Sequence, residues 1–148
     1  MADNIARMLD QAPHASRMVV WGQNLRLARR VSLGARLANR YGRELVVFGF
    51  AFHEGRYNAT AQGEPPGDKV AKPSTPGSLE WACHSTGIPS FILDLRRTAA
   101  DPLAMAWLTQ PMPMRNYAFQ AIPDTIPVGQ YFDALIYFDQ TTPSESLP

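Results

Sequence analysis

The apolar positions of this chain change rhythm several times, and each change marks an element. Ile5, Met8 and Leu9 fall three and four residues apart, which predicts a helix over 3–12 that Pro13 closes. In 17–21, Met18, Val19, Val20 and Trp21 run together, the pattern of a short buried strand. Leu33, Leu37 and Tyr41 return to helical spacing, with Ser32 as N-cap and Gly42 as terminator. The near-continuous apolar run in 44–52 is the strongest strand, and its lack of alternation predicts burial on both faces.

Residues 53–76 mix glycine, proline, lysine and polar side chains without a period, which reads as one long functional or disordered loop. A short helix is expected over 77–86, with Leu79, Trp81 and Ala82 as apolar contacts and Gly87 as its stop. A third strand follows at 90–95. Asp101 as N-cap and Pro102 in the first turn open a helix reaching Leu108. Pro111 and Pro113 then impose an extended segment, 134–138 makes a fourth strand, and 144–148 reads as a disordered tail after a domain of 1–143. Strands separated by helices predict an α/β fold, with a mostly parallel sheet of about four strands flanked by helices. Ligands of such sheets sit beyond the carboxyl ends of the strands, which directs attention to 22–26, to 53–58 and to the segment after Leu95.

Length and composition narrow the class. At 148 residues, 45% hydrophobic and 18% charged, the chain is one globular domain with room for a core. No apolar run approaches the roughly 18 residues of a membrane span, and the first residues lack the basic-then-apolar order of a signal peptide. The single cysteine, Cys83, excludes an internal disulfide and fits a reducing cytoplasm. Net charge is +1 but lopsided: eight arginines face three acids in the first 50 residues, and the remainder carries −4. Arg29, Arg36, Arg40 and Arg43 recur at helical spacing. They read either as a phosphate-binding face or as a solvated helix surface, and the absence of interleaved aromatics favours the latter, so no nucleic-acid partner is expected.

Few residues carry evident chemistry. His14, His53, Cys83 and His84 are the only imidazole or thiol groups, and none stands at zinc-motif spacing, so no metal or cofactor is expected. Neither a Gly-x-Ser-x-Gly elbow nor a phosphate-cradling glycine motif occurs. His53 beside Glu54 pairs a base with a carboxylate, yet neighbours on an extended chain point to opposite sides, so direct contact is not expected.

One segment resembles a known family. Trp21-Gly22-Gln23-Asn24-Leu25-Arg26 is similar to the Trp-Ala-His-Asn-x-His strand end of the erythromycin esterases, with Gln23 and Arg26 at the two histidine positions. Phe52, Gly55, Tyr57, Asn58 and Ala59 match a second family pattern, and Phe91-Ile92-Leu93-Asp94-Leu95-Arg96 a third. Trp107-Leu108 with Pro111, then Met114-Arg115, and Phe132 through Tyr137 with Thr141-Thr142-Pro143, complete the likeness in order and spacing. The resemblance implies a hydrolase scaffold for carboxylic and macrolactone esters, so a macrolide-like small molecule is the implied ligand. Trp21, Asn24, His53, Glu54 and Arg115 are its implied binding residues.

The likeness covers only the C-terminal part of the family, whose presumed catalytic base lies earlier. The chain is therefore expected to be an incomplete version of a larger α/β domain. Glutamine imitates the hydrogen bonds of an imidazole but exchanges no proton, and arginine stays charged. No catalytic residue is assigned, and no esterase activity is expected of the chain alone. The alternative expectation is a binding module that pairs with a protein partner, or with itself, through an exposed sheet edge.

Overall fold

The fold is that of a computed structural model, which describes residues 1–59, 67–96, 101–115 and 123–145. The tail predicted at 144–148 lies partly outside them; within them, Ser144 is held by the Asn58 amide, at 2.7 Å through its carbonyl and 3.0 Å through its hydroxyl. Three helices come first: α1 (Ala2–Asp10), α2 (Asn24–Leu27) and α3 (Ser32–Tyr41). Gly42 ends α3 at φ +53°, a conformation that favours glycine. Val31 rather than Ser32 occupies the N-cap of α3; Ser32 lies within the first turn at φ +50° and makes no side-chain cap.

A four-stranded sheet carries the rest of the domain. Its strands are β1 (Phe48–Ala59), β2 (Gly67–Ala71), β3 (Ser90–Asp94) and, last in the chain, β6 (Ala134–Thr141). They lie in the order β2-β1-β6-β3. The α/β fold with four strands flanked by helices is as the sequence predicts, but the strand directions and one member of the sheet are not. Only β1 and β6 run parallel; β2 against β1 and β3 against β6 are antiparallel. Hydrophobic rhythm locates strands without fixing their direction, and here the central pair is separated by most of the chain.

The strand expected at 17–21 does not form. Val19 and Trp21 are largely exposed there, and the sheet gains instead a hairpin built from the supposed loop. β1 extends to Ala59, through a kink at Gly55 (φ +125°), and β2 pairs with its last five residues. A Cβ at Gly55 would sit 2.3 Å from the Thr141 carbonyl oxygen, which is why the bend needs glycine.

One face of the sheet carries the core. Ala51, Leu135 and Tyr137 point into it, together with Leu79 and Cys83 of α4 (Leu79–His84), whose N-terminus Ser78 caps by accepting from the Trp81 amide at 3.2 Å. Gly49 belongs to this face because a Cβ would meet Leu135 and Phe132 at 2.9 Å. Further along are α5 (Pro102–Thr109), β4 (Pro111–Arg115), β5 (Pro123–Pro127) and α6 (Val128–Tyr131). They bring Leu108, Met112, Met114, Ile126 and Val128 into the same core. Asp101 caps α5 by accepting from Leu103 and Ala104 amides, with Pro102 in the first turn. The prolines of 111–113 start a two-stranded ladder, β4 with β5.

Candidate functional site

Two clusters of polar side chains stand out, on opposite sides of the sheet. The first is the segment from Trp21 to Arg26. Its chain is extended up to Gln23, which caps α2 with backbone geometry alone. Asn24 then turns its amide onto β1: its Nδ2 donates to the Phe50 carbonyl at 2.6 Å, and its Oδ1 accepts from the Phe50 amide at 2.9 Å. A side-chain amide thus copies one step of a β-ladder along a stretch of β1 that β2 does not reach. The Trp21 ring packs on Phe50, with ring centroids 5.2 Å apart. Gln23 and Arg26 are exposed.

The segment stays in place because α2 lies against α3 closely enough that a Cβ on Gly34 would fall 2.1 Å from the Leu27 carbonyl oxygen. Arg29 anchors the turn between them. It pairs with Asp133 at 2.8 Å and donates to the carbonyls of Leu45 and Gly42, while the Asp133 carboxylate also accepts from the Val47 amide at 2.7 Å. Arg29 is thus a partly buried structural clamp rather than a member of a cationic helix face. Of that supposed face, Arg40 makes an exposed ion pair with Asp10.

The second cluster lies at the carboxyl end of β6, on the core side. His53 is buried, and its Nδ1 meets the Ser74 hydroxyl at 2.5 Å. The His84 ring stacks on it, with centroids 3.7 Å apart and planes 5° from parallel. His84 Nδ1 faces an Asp139 carboxylate oxygen at 2.7 Å, and the Tyr137 hydroxyl donates to the same oxygen at 2.6 Å. Arg115 closes the group, donating to the His53 carbonyl at 2.7 Å and to the Lys72 carbonyl at 2.5 Å. Its backbone amide donates to Glu80 Oε1 at 2.8 Å.

Burial decides the charges here. His53 titrates below its ordinary value because it is desolvated and because His84 stands against it, so it is neutral at neutral pH. Asp139 is held low by its hydrogen bonds from Tyr137 and His84, and remains a carboxylate. Burial raises Glu80, whose Oε2 lacks a hydrogen-bond partner. It pushes the Cys83 thiol up to about 12, which makes that cysteine a packing group rather than a nucleophile. Among the described residues, no group of three or more histidine, cysteine or acidic side chains is arranged to hold a metal ion. The arrangement can orient one half-exposed imidazole, His84, on a carboxylate.

The structure sorts the residues singled out in the sequence into two groups. Trp21 and Asn24 meet at Phe50; His53 and Arg115 meet at the second cluster. Glu54 points away from His53, as its place on the strand requires, and accepts from Gln140 at 3.4 Å. Ser74, Glu80, His84, Tyr137 and Asp139 were not read as site residues. His84 and Asp139 are 55 positions apart, and no spacing rule joins them.

A family model described as erythromycin esterase matches residues 1–141. Among solved structures, a protein from Bacillus cereus is similar at TM-score 0.79 and 22% identity, over 94% of this chain and 36% of that one. A succinoglycan biosynthesis protein is similar at TM-score 0.82 and 18% identity, over 95% and 36%. A mutant of the erythromycin esterase EreC in its open conformation is similar at TM-score 0.59 and 17% identity, over 92% and 35%. At these identities the likeness is one of fold. No protein with a curated description matches. The chain spans about a third of the length of these solved relatives.

Proposed function

Because the chain belongs to the erythromycin esterase family over residues 1–141, we propose that it carries the carboxyl-terminal scaffold of a carboxylic ester hydrolase and does not hydrolyse esters by itself. The ligand class on this reading is a macrolide-like lactone ester, so the setting is macrolide resistance in a cytoplasm where Cys83 stays reduced. Among the described residues no helix is long and apolar enough to cross a membrane.

The observation that carries the reading is the Trp21–Arg26 segment. The segment is held on β1 through Asn24 on Phe50 with Trp21 beside it, while its two exposed side chains, Gln23 and Arg26, cannot take and return a proton. A positioned base contributes on the order of 10²–10⁴-fold to such reactions. Trp21 and Glu54 are the proposed ligand-facing residues; His53, buried beside Arg115 on the opposite side of the sheet, is not available to the same ligand, and both ends of the Asn24 amide are engaged in holding the segment on β1. Erythromycin incubated with the purified chain and followed by mass spectrometry should show no lactone opening above a heated control. Steady turnover that heating abolishes would overturn the proposal.

A second reading, a non-enzymatic module that pairs with another polypeptide, is favoured by the apolar side chains left exposed on the sheet, Phe48, Ile92 and Phe138. The two readings are compatible, since proton-transfer groups supplied by a partner would complete the site.

A further inference from the structure

Two imidazoles meet on the closed face with unequal freedom. His53 is 7% exposed, and its Nδ1 is bonded to Ser74 on the segment that joins β2 to α4. His84 is the last residue of α4; its side chain is 43% exposed, and its ring lies flat on His53. His84 can leave its place by rotating into solvent. His53 cannot move without disturbing Ser74, which is itself buried.

The charges around the pair balance one proton and not two. Those acting on His53 are His84 itself, Asp139 of β6, Glu54 of β1 and Arg115 of β4. Asp139 holds His84 at 2.7 Å and so matches a single imidazolium. Glu54 is turned to the other side of β1, where it bonds Gln140. Burial keeps Tyr137 and Cys83 protonated, Glu80 is engaged by the Arg115 backbone amide, and Arg115 adds a positive charge of its own. Lys72, on the joining segment, is exposed and offers its carbonyl to Arg115. Two imidazoliums stacked with ring centres 3.7 Å apart therefore repel, with one adjacent carboxylate to offset them.

We propose that His84 is an acid-released latch: when both rings carry a proton, His84 swings into solvent and the Ser74 segment bonded to His53 loosens, while the sheet stays folded. Leu79 and Cys83 keep α4 seated in the core, so the release is confined to its last turn and to the joining segment. The direction follows from linkage. The latch is closed where His53 is neutral and opens as the pH falls through that ring's depressed value, because the open state gives both rings back to water. It uses no residue of the Trp21–Arg26 segment and is independent of ester chemistry.

The test is an NMR titration of the full chain between about pH 7.5 and about pH 5, the range in which imidazoles change charge. The nuclear Overhauser effect between the two imidazole rings should be present at the upper end and vanish as His53 takes its proton. Over the same range the Ser78 amide, which donates to the Thr75 carbonyl at 3.1 Å, should lose exchange protection about tenfold or more after correction for intrinsic rates. The Asp133 amide, bonded to the Val47 carbonyl at 2.8 Å, should keep its protection and so report an intact sheet. In His84→Gln, His53 should bind its proton at higher pH than in the parent, and Ser78 should keep its protection in acid. In Asp139→Asn, which removes the tether of His84, Ser78 should lose protection at higher pH than in the parent. A ring-to-ring effect that persists after His53 is protonated would overturn the proposal. So would equal loss of protection at Ser78 and Asp133, or the same acid loosening of Ser78 in His84→Gln.

Discussion

The two faces of the central sheet are made from the same three strands and have opposite fates. Toward α4, Leu135 and Tyr137 are fully buried, and Gly49 and Ala51 leave room for Phe132 and the helix. On the reverse, residues one step along the same strands, Phe48 and Phe138, remain more than 40% exposed. Apolar character alone therefore does not make a core; a facing layer does. The closed face also contains the histidine cluster, while the open one is bordered by the Trp21 segment.

The sharpest way to break this comparison is to truncate one residue on each face. Leu135→Ala, which opens a cavity in a packed core, should cost about 2–5 kcal/mol in urea unfolding. Ile92→Ala, across the sheet, should cost under about 0.5 kcal/mol, as for a surface substitution. Equal losses would mean that the open face is covered in solution by a second copy or by rearrangement of the chain. A smaller effect is expected at the margin of the open face. Asn24→Ala leaves the Phe50 amide and carbonyl without their partner and should cost about 1–3 kcal/mol, whereas Gln23→Ala should change little.

The smallest effect is a pH dependence confined to the closed face. His53 has a folded-state pKa below its ordinary 6.5, so its contribution to stability is present above that value and is lost as the pH falls through the depressed one. Glu80 has the opposite sign: its pKa is raised above 4.5, so its contribution is present below that value and lost as the pH rises through the raised one. His53→Gln should flatten the acid side of the stability profile below pH 6.5 and leave the alkaline side alone, as measured by thermal unfolding across pH. An unchanged acid limb would show that His53 is not desolvated as described.

How much of this was legible beforehand varies by element. The helix over Ser32–Tyr41 with Gly42 behind it, the Asp101-Pro102 helix start and the strands around Phe50, Leu93 and Ile136 follow from capping chemistry and apolar runs, which are local signals. The strand expected at 17–21 does not form: Val19 and Trp21 stay largely exposed, and the Trp21 ring rests on Phe50 rather than in the core. The hairpin of β1 with β2 was missed because Arg56, Asn58, Asp68 and Lys69 make its sequence look like a loop; the Arg56–Asp68 ion pair across the ladder needs both strands in place. Of the residues implied by the family likeness, Trp21 and Asn24 were found together, as were His53 and Arg115. The partners that give the second pair its chemistry were not foreseen.

The kinds of elements and the absence of imidazoles at positions 23 and 26 are set by short stretches of chain, and family membership by the order and spacing of such stretches along residues 1–141. Strand directions, the stacking of His84 on His53 and the choice of which apolar face is covered depend on contacts between positions tens of residues apart. Those contacts compete for the same surfaces, and only the packed molecule selects among them.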